Sequence, residues 1–140
     1  RDRSPSRGLG DVYKRQCIDN GMTKMIRISN MASSSLTGDN TPCTFSSAVV
    51  TDILRNELNF RGVIVSGAMN EAAISNYYGA DEAAVLALRA GCDMIYAPEN
   101  FETAYNGVLE AVQNGTISEE RINDSLRRIY RIKYADKLEQ

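Results

Sequence analysis

The chain has 140 residues, 43% hydrophobic and 24% charged, with a formal net charge of −2. That is one domain's worth of chain, long enough to bury a core, with the composition of an ordinary globular protein. The charge balance points away from nucleic acid and anionic membrane as partners, and no stretch approaches the roughly 20 apolar residues that span a bilayer.

There is no histidine, which removes the commonest general base and metal ligand. Cys17, Cys43 and Cys92 show no Cys-x-x-Cys spacing, so they are expected to be reduced and mostly buried thiols rather than a metal or redox set. No cofactor is expected.

Residues 1–16 differ in character from the rest of the chain. Arg1, Arg3, Arg7, Lys14 and Arg15 stand against Asp2 and Asp11, while the remaining residues are acidic on balance. Ser4-Pro5-Ser6 and Gly8-Leu9-Gly10 break any element, and the segment has no hydrophobic period. Its wording resembles translated adapter sequence, and it is expected to be a non-native or disordered segment, with the folded part running from 17 to 140.

From Cys17 the text alternates short apolar runs with longer helical patterns. Residues 25–29 form the first strand candidate. A helix is predicted over 48–58, with Val50, Ile53, Leu54 and Leu58 on one face and Ser46 as its N-cap. Gly62-Val63-Ile64-Val65-Ser66 reads as a buried parallel strand, and Gly67 as a tight strand-to-helix turn of unusual φ. An alanine-rich helix comes next over 80–90, closed by Gly91 as its C′ residue. A third strand is predicted over 93–97. Two helices finish the chain. One, over 101–114, ends at Gly115. In the other, capped by Ser118, Ile122, Leu126, Ile129 and Tyr130 are expected to be buried, and Arg127, Arg128, Arg131 and Lys133 to form a solvated end.

The strand starts at 25, 62 and 93 have the spacing of βα units with helical crossovers. Strands alternating with amphipathic helices imply a parallel sheet covered by helices. The pattern alone does not separate an open doubly wound sheet from a closed (β/α)₈ barrel, although no Gly-x-Gly-x-x-Gly or Walker loop favours the open sheet.

Three runs carry a resemblance: Gly38-Asp39-Asn40-Thr41-Pro42, Thr51-Asp52-Ile53-Leu54-Arg55-Asn56-Glu57-Leu58, and Asp81 to Val85 continuing through Ala90-Gly91-Cys92-Asp93-Met94-Ile95. Together they resemble the catalytic barrel of glycoside hydrolase family 3, over roughly Cys17 to Leu138. The resemblance implies an α/β fold that is a partial (β/α)₈ barrel, its sixth to eighth strands, with the N-terminal part of the barrel as a missing partner. It implies a carbohydrate ligand, an N-acetyl-hexosaminide or another β-glycoside. In the β-N-acetylhexosaminidase branch the reaction is retaining hydrolysis of O-glycosyl bonds.

Active sites of such barrels lie at the C-terminal ends of the strands. A retaining glycosidase needs one carboxylate to attack the anomeric carbon and a second group to protonate the leaving oxygen. In the family the strand over 62–66 usually continues into the nucleophilic Asp; here that position is Gly67, which has no side chain. The acid/base lies on a loop or domain outside this chain. Where the family often has Ser-His, the chain has Ser29-Asn30, and Asn can hydrogen-bond a hydroxyl but cannot shuttle a proton. Asn30, Ser66 and Met69 are the substrate-binding candidates. Ser66 lacks a local base, and Glu71 is expected inside the next helix, so neither is expected to replace the lost nucleophile. Asp93, at a strand's start, is expected to be structural. The chain is therefore expected to be inactive as written; the alternative is a non-catalytic carbohydrate-binding protein of the same fold. Asn30 and Gly67 are predicted to face a shared cleft at the same end of adjacent strands.

Overall fold

The computed structural model describes residues 15–138. Most of the segment set apart as non-native, 1–14, lies outside the described residues. Arg15 and Gln16 belong to a helical turn over 15–19, closed by the Asn20 and Met22 N–H groups donating to the Gln16 and Cys17 carbonyls.

Strands β1 (Met25–Arg27), β2 (Val63–Ala68) and β3 (Met94–Tyr96) form one sheet in the order β1-β2-β3, with both pairings parallel. β2 runs two residues beyond its predicted end and is central, which is why it is almost wholly buried. β1 is shorter than predicted, but Ile28 still donates to the Val65 carbonyl at 2.9 Å. Parallel strands need long crossovers. The first is built from α1 (Ser34–Thr37), a 3₁₀ turn at Cys43–Phe45 and α2 (Ala48–Glu57). The second is built from α3 (Ala72–Ser75) and α4 (Ala80–Ala90).

Helix α2 departs from the 3.6-residue reading. Its last bond runs from the Leu58 N–H to the Ile53 carbonyl, a five-residue step, so the turn is wider than an α-helical one. Val50 and Arg55, five apart, are the fully buried residues, while Ile53, Leu54 and Leu58 of the predicted face are half-buried, Leu54 against the main core. Its N-cap is Ser47, with no side-chain cap bond; Ser46 contributes only its carbonyl, to Val49 and Val50.

The main core lies between the sheet and these crossovers, around Ile28, Val50, Phe60, Ile64, Ile74 and Cys92. Helix α4 begins and ends as predicted, and its alanines other than Ala80 are buried. It packs on α5 (Phe101–Gln113) so closely that a Cβ on Gly107 would meet the Asp81 backbone, with Cα at 2.8 Å. Asn100 caps α5 by accepting from the Thr103 N–H at 2.9 Å. Gly91 and Gly115 take positive φ at the helix ends, as predicted.

Helix α6 (Glu119–Lys133) is capped by Ser118 as expected, its Oγ accepting from the Arg121 N–H at 3.1 Å, and a short α7 (Ala135–Leu138) completes the described chain. The buried face of α6 is only partly the predicted one: Ile122 and Ile129 are half-buried, Ile122 against the cluster of Leu88, Ala111 and Ile117. Leu126 and Tyr130 are exposed, and the polar line Arg121-Ser125-Arg128 turns inward because Asp93 waits there. The Asp93 side chain is 0% exposed. Its Oδ2 accepts from Arg55 Nη2 at 2.5 Å and the Ile64 N–H at 2.9 Å. Its Oδ1 accepts from the Ser125 hydroxyl at 2.7 Å and Arg128 Nη1 at 2.8 Å. Arg121 Nη1 lies 3.8 Å from Oδ1 and its Nη2 donates to the Cys92 carbonyl. Arg128 is thus an ion-pair partner rather than part of a solvated end. Burial pulls the Arg55 and Arg121 guanidiniums below the usual arginine range, and the Asp93 charge pulls them back up. This hub ties α2, β2, β3 and α6 together at the N-terminal end of β3.

Candidate active site at the strand ends

Met25, Met94 and Tyr96 are exposed on the sheet, and the Arg27 guanidinium lies 5.5 Å from the Tyr96 ring centroid. At the C-terminal end of β2 the ladder is irregular. Val65 pairs with Met94 but Ala68 pairs with Tyr96, so β2 carries an extra residue between them. Ser66 makes this possible. Its Oγ accepts from the Tyr96 N–H at 2.9 Å and donates to the Gly67 carbonyl at 2.8 Å, taking a ladder position a carbonyl would normally hold. The freed Gly67 N–H donates to Thr44 Oγ1 at 3.1 Å. Ser66 is 0% exposed, so its hydroxyl is wholly committed to the backbone. Met69 is 2% exposed and belongs to the core, with its N–H on the Tyr96 carbonyl at 3.0 Å.

Gly67 lies inside β2 and its φ is not positive, so the predicted turn of unusual φ is absent. What requires glycine is a close approach: a Cβ there would overlap the Asn30 side-chain amide. Asn30 is 7% exposed. Its Nδ2 donates to the Ala68 carbonyl at 2.7 Å and to Glu71 Oε2 at 2.9 Å. Its Oδ1 is buried with no protein partner. Both neighbours of the NH₂ group are acceptors, which fixes the orientation of the amide.

The structure therefore brings Asn30, Gly67 and Glu71 together at the C-terminal ends of β1 and β2, and places Ser66 and Met69 behind them in the packed interior. Glu71 is not inside a helix. It is the extended N-cap residue of α3, with φ −68° and ψ 140°, and its carboxylate reaches back to Asn30. Sequence reasoning misses that placement because the strand ends later than its apolar run and α3 is only four residues long. The Thr44 clamp on Gly67 leaves no sequence signal at all. Ala97, directly after β3 at the same end, has a left-handed φ of 45°. Chemically the arrangement offers the Glu71 carboxylate beside an amide whose N–H groups are both engaged, with that amide filling the space over Gly67. Among the described residues no group of three His, Cys, Asp or Glu side chains could hold a metal ion.

The profile of the glycosyl hydrolase family 3 N-terminal domain matches residues 10–132. The chain is 34% identical over 108 residues to a periplasmic beta-glucosidase of Salmonella typhimurium, covering 74% of this chain and 13% of that protein. It is 28% identical over 101 residues to beta-hexosaminidase A of Pseudoalteromonas piscicida, covering 66% and 17%. The structure superposes on a glycoside hydrolase family 3 beta-N-acetylglucosaminidase from Paenibacillus sp. with a TM-score of 0.83 and 33% identity, covering 91% of this chain and 24% of that one. The chain thus spans under a quarter of these relatives, and its three parallel strands are part of a (β/α)₈ barrel. The chain belongs to glycosyl hydrolase family 3, within its N-terminal domain.

Proposed function

We propose that this chain is the strand-end segment of a β-N-acetylhexosaminidase-like barrel whose nucleophile has been lost, so that it contributes to a carbohydrate groove and does not itself cleave glycosides. The observation that carries the reading is Gly67. It occupies the end of the central strand, where a retaining enzyme presents its carboxylate, and the Asn30 amide fills the space a side chain would need. The strands that complete the barrel, with the acid/base they bring, would form the rest of the site. In this reading Asn30 holds Glu71 and the end of β2 beside the sugar, while Ser66 and Met69 act from behind by fixing the end of β2.

The non-catalytic, carbohydrate-binding alternative for a longer protein carrying this segment is favoured by one specific feature. Asn30 and Gly67 are fitted to each other, as in a site maintained without its nucleophile. The test is the initial rate with a nitrophenyl N-acetyl-β-glucosaminide, whose leaving group needs little acid assistance. No turnover above the uncatalysed rate is expected from the chain; sustained turnover would show that the nucleophile has been misplaced.

A further inference from the structure

We propose that the cavity at the N-terminal ends of the strands is an anion-binding site, which takes a small polyanion of the diphosphate class between Lys24, Arg61, Arg128 and Arg131. It lies at the opposite end of the sheet from the candidate sugar groove and is independent of the carbohydrate reading.

The cavity has a volume of about 400 Å³, within the range of small-molecule pockets, about 300–1,000 Å³. Lys24 stands just before β1 and Arg61 just before β2, and parallel pairing brings those two strand starts together. Helix α6 adds Arg128 and Arg131, one turn apart on the same face. Asp19 is the one acidic side chain of the lining among the described residues. Lys24, Arg61 and Arg131 are exposed and make no ion pair among the described residues. Four cations thus converge on one concave surface, although the chain as a whole is −2. The positive charge continues behind the lining. Arg55 donates to the carbonyls of Phe60 and Gly62, at 3.0 and 2.6 Å, and both of those residues line the cavity. Arg55, Arg121 and Arg128 all share the single Asp93 carboxylate, so the hub holds more positive than negative charge. Burial pulls the Arg55 guanidinium down, Asp93 pulls it up, and the Arg128 and Arg121 charges pull it down again. A concave surface of one sign focuses the field and draws in counter-ions. Guanidinium forks and an ammonium suit phosphate oxygens. A diphosphate sets several negative charges in one compact body, so it can meet more than one of these cations at once. No covalent step is implied.

The experiment is calorimetric titration of the full chain with inorganic pyrophosphate and with orthophosphate at low ionic strength, with backbone amide shifts to locate the site. Pyrophosphate should bind about tenfold more tightly than orthophosphate, the worth of one further charge-assisted contact, and added salt should weaken both. The amides that shift should be those around Lys24, Arg61 and Arg128. Lys24→Gln combined with Arg61→Gln removes two exposed cations that hold no ion-pair partner among the described residues. Thermal unfolding of the free chain should therefore be unchanged, while pyrophosphate affinity falls about tenfold or more. Arg131→Gln, on a different element, should also lose affinity. Arg89→Gln, an exposed cation of α4 outside the cavity, should not. Absence of pyrophosphate binding, equal affinity for the two anions, affinity that survives the paired substitution, or shifts confined to the region around Asn30 would each overturn the proposal and leave the carbohydrate reading intact.

Discussion

Replacing Asp93 with Ala should be the most destabilising single substitution in the chain. Asp93 is 0% exposed in its side chain and Arg55 only 10%. The substitution leaves the Arg55 guanidinium buried without its counter-charge, which costs about 3–5 kcal/mol for a broken buried pair. It also strips the acceptor from the Ile64 N–H and the Ser125 hydroxyl, each costing roughly 1–3 kcal/mol if left unsatisfied. These losses share one network and do not simply add, so about 4 kcal/mol is a conservative total. A domain's whole stability is about 5–15 kcal/mol. In urea unfolding monitored by far-UV circular dichroism, with m of about 1–3 kcal/mol/M, the midpoint should fall by more than about 1 M. Asp93→Asn keeps the shape and one acceptor and should lose less. Because the pair is buried, added salt should change little. A loss below about 1 kcal/mol, the size of an exposed ion pair, would refute the assignment of Asp93 as the hub of the N-terminal end.

Gly67→Ala should destabilise by about 1–3 kcal/mol through overlap with Asn30, and Asn30→Ala in the same chain should recover part of that loss; simple additivity in the double-mutant cycle would contradict the fit between the two residues. Gly67→Asp alone should be crowded for the same reason, so in a longer barrel any gain of hydrolysis should require a change at Asn30 as well. Gly107→Ala should be destabilising in thermal unfolding, although Ala exceeds Gly in helix propensity by about 1 kcal/mol, because its Cβ would press on the Asp81 backbone; a stabilised variant would mean that α4 and α5 lie further apart. Burial pushes the Cys92 thiol up to about 12 from a starting value of 9.0. The unfolded chain therefore ionises first as pH rises, and stability should fall between pH 9 and about 12. At pH 8, with a disulfide reagent, Cys17 should react before the buried Cys43 and Cys92; fast reaction of all three would contradict that burial.

Much of the scaffold is legible in the sequence because it rests on local rules. The alternation of strand and helix foretells a parallel sheet, and the alanine-rich helix with Gly91 foretells α4 to the residue. The misreadings fall where a distant partner decides the outcome. Hydrophobicity assigns one face of α6, yet an inward Arg121-Ser125-Arg128 line is set by Asp93, some thirty positions earlier in the chain. A polar i, i+4, i+7 spacing on that helix, taken with a lone Asp at the start of an apolar strand, is the signal that could find it. Helix α2 buries Arg55 for the same reason. At the strand ends, the pairing of Asn30 with Gly67 is implied by their places after adjacent strands. The bulge at Ser66, the overlap with Asn30 and the return of Glu71 are not, because each depends on non-local hydrogen bonds that periodicity does not encode.

The central claim is that no side chain at the end of β2 serves as a glycosyl nucleophile. The most direct measurement is intact-protein mass spectrometry after incubation with an activated fluorinated N-acetylglucosamine-type glycoside, which accumulates any covalent glycosyl-enzyme. The unmodified mass should be recovered throughout. A stoichiometric glycosyl adduct, mapped to Ser66, Glu71 or any other residue of the chain, would contradict the account.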